Sequence, residues 1–84
     1  MYNLKMLEDV FMSAYRCGCN YVGIRVRGVG KGDEFIINPH CNILDKLEYY
    51  KQAYNEDLTL KSNPNIRIVG ISYGHNFDEI QRII

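Results

Sequence analysis

A single α+β domain over residues 1–84 is the fold class this sequence predicts, from three observations. Three stretches space their apolar residues every three to four positions. Three others alternate apolar with polar residues or are rich in β-branched ones. Gly, Asn and Pro punctuate the joins. The expected order is α-β-β-α-β-α, with the helices packed on one face of a three-stranded sheet so that every apolar stripe is buried at once.

The first helix runs from Leu4 to about Tyr15. Leu4, Leu7, Val10, Phe11, Ala14 and Tyr15 form its stripe, with Lys5, Glu8, Asp9 and Ser13 between them. Asn3 suits its N-cap and Gly18 its C-terminal stop. Val22, Ile24 and Val26 then alternate with Gly23, Arg25 and Arg27, the mark of a half-buried strand over residues 21–27. The glycine-rich segment 28–32 turns the chain into a second strand, Glu34–Asn38, giving a hairpin that Pro39 ends.

Asn42, with Asp45 three residues on, is the expected cap of the middle helix. Ile43, Leu47, Tyr50 and Tyr54 line its stripe, Leu44 and Ala53 widen it, and the helix is expected to end near Asn55. Leu58–Leu60 reads as a short extended piece and Ser62–Asn65 as a turn. Ile66–Tyr73 is a β-branched strand whose more continuous apolar run suits a central place; if it runs parallel to strand two, strand one sits between them. Asn76 and Glu79 cap a terminal helix whose stripe is Phe77, Ile80, Ile83 and Ile84.

Composition narrows the function classes. Apolar residues are 46% and charged residues 24%, within the globular range and outside the disordered one. No apolar run approaches the roughly 18 residues that span a bilayer, and the N-terminal segment lacks the pattern of a signal peptide. Ten basic and ten acidic residues leave zero formal charge, so the excess base of a nucleic-acid binder is missing and self-association is not opposed. Three cysteines do not close a disulfide framework, which points to reduced thiols in the cytoplasm.

The segment Arg27-Gly28-Val29-Gly30-Lys31-Gly32 carries the most suggestive motif, because glycines let backbone amides approach an anion. It lacks the G-x-x-x-x-G-K-[ST] spacing of a phosphate loop, and a hairpin turn accounts for it. Arg25 and Arg27 share the exposed strand face, with Lys31 nearby. They suit a phosphate, an acidic surface, or cross-strand pairing with Glu34. Cys17, Cys19, His40 and Cys41 have zinc-binding chemistry but not the C-x₂₋₄-C spacing of common sites, so no metal or cofactor is expected. No catalytic motif is present and the expectation is a protein that is not an enzyme. Of seven tyrosines, Tyr49 falls beside the middle helix's stripe and is the best placed for contact with a partner.

From Ile24-Arg25-Val26 through Glu34-Phe35-Ile36-Ile37 to Ile43-Leu44-Asp45-Lys46-Leu47 and Asn55, the chain resembles part of the small phage-borne anti-CRISPR proteins. Those also run strand, glycine-containing turn, strand and a helix with spaced aromatics. The resemblance covers about a third of the chain. Those inhibitors are strongly acidic and lack an equivalent of Ile66–Ile84, so no functional residue carries over. What the resemblance implies is a non-catalytic, phage-derived inhibitor that blocks a host defence complex by occupying its surface.

Two expectations follow. The first is a small interaction protein with a protein partner, contacting it through Arg25, Arg27, Lys31 and Tyr49. The second is a homo-oligomer that sequesters an anionic small molecule such as a signalling nucleotide, because one chain of this size struggles to enclose a deep pocket.

Overall fold

Asn3 starts the first helix, α1 (Leu4–Cys17), from an extended backbone: its side-chain oxygen accepts the Met6 N–H at 2.9 Å, satisfying an amide that the helix leaves without an internal partner. The computed structural model describes residues 2–83, and the side chains of residues 2–80. α1 stops at Gly18, whose φ of 74° suits glycine. The Gly18 N–H donates to the Tyr15 carbonyl at 3.3 Å and the Cys19 N–H to the Ala14 carbonyl at 3.0 Å, the paired bonds of a left-handed helix cap. That closure turns Cys19 into the interior.

The sheet holds four strands rather than three: β1 (Tyr21–Arg27), β2 (Glu34–Pro39), β3 (Thr59–Leu60) and β4 (Asn63–Gly74), in the order β2-β1-β4-β3. Every neighbouring pair is antiparallel, so β2 and β4 run parallel on either side of β1, and β4, flanked by β1 and β3, is central. The additional strand is the short extended piece. It folds back on the start of β4, with Thr59 opposite Arg67 and Leu60 opposite Asn63. Residues 63–65, expected as part of a turn, therefore open β4 instead.

Strand alternation divides the sheet into two faces. Val22, Ile24 and Val26 of β1 join Ile68 and Ile71 of β4 in one core with Leu7, Phe11 and Ala14 of α1 and Ile43, Leu47 and Tyr50 of α2 (Ile43–Ala53). The third helix, α3 (Phe77–Ile83), lies on the opposite face, a correction to the expectation that all helices share one. A Cβ on Gly23 would collide with Ile80 Cγ2 and lie 3.7 Å from Ile37 Cγ1, and one on Gly74 would sit 3.0 Å from Glu79 Cβ. The small residues Gly23, Gly70, Ser72 and Gly74 leave room there for a helix to lie close to the strands. Asn76 caps α3 as expected, accepting the Glu79 N–H at 2.9 Å, and Glu79 returns a bond from the His75 N–H at 3.1 Å. Phe77, expected in the buried stripe, is exposed, and Ile80 alone of that stripe is described as buried. The side chain of Ile83, and all of Ile84, lie outside the described residues.

The middle helix starts differently from its expectation. Asn42 has helical backbone angles and makes no side-chain cap bond; a single 3-10 turn, His40–Asn42, leads into α2. Beyond α2, Asp57 takes the role of local organiser. Its Oδ1 accepts the Thr59 N–H at 3.1 Å and the Thr59 hydroxyl at 2.5 Å, which holds the carboxyl below its ordinary range. Leu58 beside it is fully buried at φ 68°, a strained conformation for a non-glycine residue. Its place between the Asn55 carbonyl, 2.9 Å from its N–H, and the Ile68 N–H, 3.0 Å from its carbonyl, holds it there.

Tyr50 gives the core an alkaline limit. Burial, and then the neighbouring Tyr54 and Tyr49, push its pKa up to about 12 against a hydrogen bond with Asn38 that lowers it. Folding thus favours the protonated phenol, so the stabilisation is complete below the unfolded value of 10 and declines as pH rises toward 12. At 1.36 kcal/mol per unit, roughly 2–3 kcal/mol should be lost across that window. Urea titrations at several alkaline pH values should show that decline in the wild type and a shallower one in Tyr50→Phe; parallel profiles would contradict it.

Candidate interaction surface

The face of β1 that carries Gly23 also carries Arg25 and Arg27, and the hairpin register sets Phe35 opposite Arg25 and Ile37 opposite Gly23. Asp33, on the turn between β1 and β2, holds both arginines. Arg27 Nε and Nη2 donate to its two carboxylate oxygens at 3.0 and 3.1 Å, and Arg25 Nε lies 3.3 Å from Oδ2. The partner expected across the hairpin was Glu34, but Glu34 stands opposite Val26 and so belongs to the other face. The fork of Arg27 draws the Asp33 pKa down. The carboxylate therefore stays ionised to lower pH than usual, and the pairing is lost only as pH falls through that depressed value.

Arg67 of β4 stands directly opposite Arg27 and completes a cluster that sequence reading missed. Like charges on facing strand positions repel. Asp33 bridges Arg25 and Arg27, and Asp57 is close enough to Arg67 for that charge to help lower its pKa. Lys31, in the turn, makes no ion pair among the described residues.

Aromatic side chains lie along the same face, Phe35 near the hairpin turn and Tyr21 with Phe77 toward the other end. Phe35 is 46% exposed and Phe77 is 53% exposed, and Phe77 meets Tyr21 edge-on with ring centroids 4.9 Å apart. Ile37 and Ile80 fill the space between, over Gly23. The surface thus runs from aromatic and aliphatic groups at α3 to arginines at the hairpin turn. Register arithmetic alone places Phe35 beside Arg25. Phe77 gave no such signal, because its helix had to be assigned to the second face first.

Tyr49 is not part of this surface. It is 52% exposed on α2, on the far side of the sheet, with its ring edge-on to Tyr50 at 5.4 Å and Lys46 Nζ 5.6 Å from its centre. Of the four residues expected to act together, the structure brings Arg25 and Arg27 into contact with one carboxylate, puts Lys31 in the adjoining turn, and separates Tyr49 from them.

The cysteine and histidine candidates disperse. Cys17 and Cys41 are exposed, while Cys19 is buried and its thiol pKa is raised by that burial. No group of three His, Cys, Asp or Glu side chains among the described residues is placed to hold a metal ion. His40 stacks on Tyr15 with centroids 5.1 Å apart, and its Nε2 lies 3.2 Å from the Tyr15 carbonyl, tying the end of α1 to the start of α2.

Among the described residues, surface clefts of about 350, 320 and 220 Å³ are lined respectively by residues around Lys5 and Lys51, around His75 and Phe77, and around Tyr2 and Arg67. None is lined by Arg25, Arg27 or Lys31. In the first, Lys5 and Lys51 are already committed to Asp9 and Glu8, each at 2.9 Å. No helix among the described residues is long and apolar enough to cross a membrane. Comparison with family models, with curated proteins and with solved structures gave no match to this chain.

Proposed function

We propose that this chain is a non-catalytic interaction protein that occupies the surface of a protein partner with the second face of its sheet. The observation that carries the reading is the juxtaposition on one face of exposed Phe35 and Phe77 and half-buried Tyr21 with the cluster of Arg25, Arg27 and Arg67. Aromatic and arginine side chains supply most binding hot spots, because each buries a large area or several donors at modest entropic cost. Arg25 and Arg27 on Asp33, with Arg67 opposite Arg27 and Lys31 in the turn, leave this end of the face cationic on a chain of zero net charge, so the matching partner surface is acidic. Blockade of a host defence complex is the narrower form of this proposal, and the anti-CRISPR resemblance is its support.

The test is charge reversal. Arg25→Glu/Arg27→Glu is expected to weaken partner binding by at least about 30-fold, the loss of one hot spot of 2 kcal/mol, while Tyr49→Ala on the other layer leaves it unchanged. Binding is read by calorimetry on the partner that co-purifies from cells carrying candidate defence complexes. Circular dichroism confirms the fold of each variant, and Arg25→Gln/Arg27→Gln serves as the milder pair. A folded double variant that binds like the wild type removes this face from the interface.

A further inference from the structure

The outer edge of β2 carries backbone groups that the sheet itself does not pair. Among the described residues β2 is the terminal strand of its sheet, with β1 on one side and no strand on the other. One step beyond the Tyr21–Pro39 pair, the His40 N–H donates to the Asn20 carbonyl at 2.7 Å. Bonded pairs alternate along an antiparallel ladder. Asn38, Ile36 and Glu34 therefore turn their backbone groups toward β1, and Phe35, Ile37 and Pro39 turn theirs outward. Pro39 sits where its missing N–H deprives β1 of nothing, which is where an edge strand tolerates proline.

We propose that this edge pairs antiparallel with β2 of a second copy of this chain, about a two-fold axis at Ile36, joining two four-stranded sheets into one. The register is self-complementary. Phe35 faces Ile37 of the second copy and Ile37 faces its Phe35, so the outward N–H and C=O groups of both residues are matched in each direction. On the opposite face Ile36, 37% exposed, meets its own symmetry mate. Aromatic and β-branched pairs of this kind stabilise sheets. Glu34 falls opposite Asn38, so no like charges meet, and a chain of zero net charge adds no long-range repulsion. Within residues 34–38 Glu34, at the end by the turn, is the one charged edge residue, and there is no lysine, no mid-strand proline and no bulge in the β1–β2 register. The other end of the sheet is finished by a strand of only two residues. Dimerisation would set two copies of the aromatic and arginine face side by side, offering a bivalent surface.

Sedimentation equilibrium of the wild type, of Ile36→Lys and of Ile36→Glu tests this. Each substitution places two like charges at the axis, on a side chain that the single chain leaves partly exposed. The wild type is expected to sediment with the mass of two chains, each variant with the mass of one and with unchanged circular dichroism, and an equimolar mixture of the two variants with the mass of two again. A wild type that stays monomeric at every concentration, a variant that stays dimeric, a mixture that does not reassociate, or open-ended growth beyond two chains would each overturn the proposal. Should either variant fail to fold, Phe35→Pro replaces it, since it removes an outward N–H that the single chain does not use; a folded Phe35→Pro that remains dimeric overturns the proposal equally.

Discussion

Phe11→Ala is expected to cost about 3–5 kcal/mol and to leave the domain barely folded at room temperature. Phe11 is fully buried, among the largest side chains that are, and it meets Tyr50 edge-on with centroids 5.9 Å apart at 76°. It therefore joins α1 to α2 while covering the sheet, and its removal leaves a cavity whose walls are held by the strands beneath. A domain of this size has a total stability of about 5–15 kcal/mol, so one such loss is a large part of it. Urea unfolding followed by circular dichroism should show a much lower midpoint with an unchanged slope. A shift equivalent to less than 1 kcal/mol would mean that the packing of α1 does not depend on Phe11.

Gly28→Ala is the second large effect, with an expected loss of about 3 kcal/mol and a melting temperature lower by roughly 12–24 °C. Two causes add. Gly28 has a φ of 102°, and a Cβ there would overlap the Asn65 backbone carbonyl, which has no rotamer by which to move aside. Gly30 and Gly32, in the same loop, have open space around them and unexceptional angles, so Gly30→Ala should stay within about 0.5 kcal/mol of the wild type. Thermal melts of the two variants side by side decide the matter. Equal tolerance at 28 and 30 would show that the end of β1 does not press against Asn65. The contrast also bears on the loop's chemistry: one of its glycines is required by the fold, and the other two are a turn's ordinary composition.

Local signals made much of this fold legible. The Asn3 and Asn76 caps, the Gly18 stop and the alternation of β1 each depend on a few adjacent residues, and each was found where the sequence placed it. What escaped depended on contacts between distant segments. Thr59–Leu60 is too short to declare itself and becomes a strand only because β4 extends back to Asn63 to meet it. The side on which α3 packs is decided by Gly23 and Gly74, far apart in sequence and next to adjoining ladder positions. Asn42 has the composition of a cap, yet the 3-10 turn His40–Asn42 gives it helical angles. At the site, Arg25 and Arg27 were found from alternation alone. Arg67 and Phe35 needed the register and Phe77 the side on which α3 packs, while Tyr49 lies apart from the arginines because its neighbour Tyr50 indicates which side of α2 is buried but not which layer of the fold α2 occupies.

The central position of β1 sets the order of events when this chain folds. Its partner on one side, β2, is reached across a short turn, and such hairpins close in about 1–10 µs. Its partner on the other side comes from the far end of the chain, since Tyr21 must find Gly74. Closing that larger loop costs more entropy and must precede the contacts that reward it. Until β4 arrives, the hairpin has two open edges instead of one, and the arginines of β1 face water without Arg67 opposite. The arrival of the last long strand therefore governs both how fast the sheet completes and how long a wrong strand has to take its place.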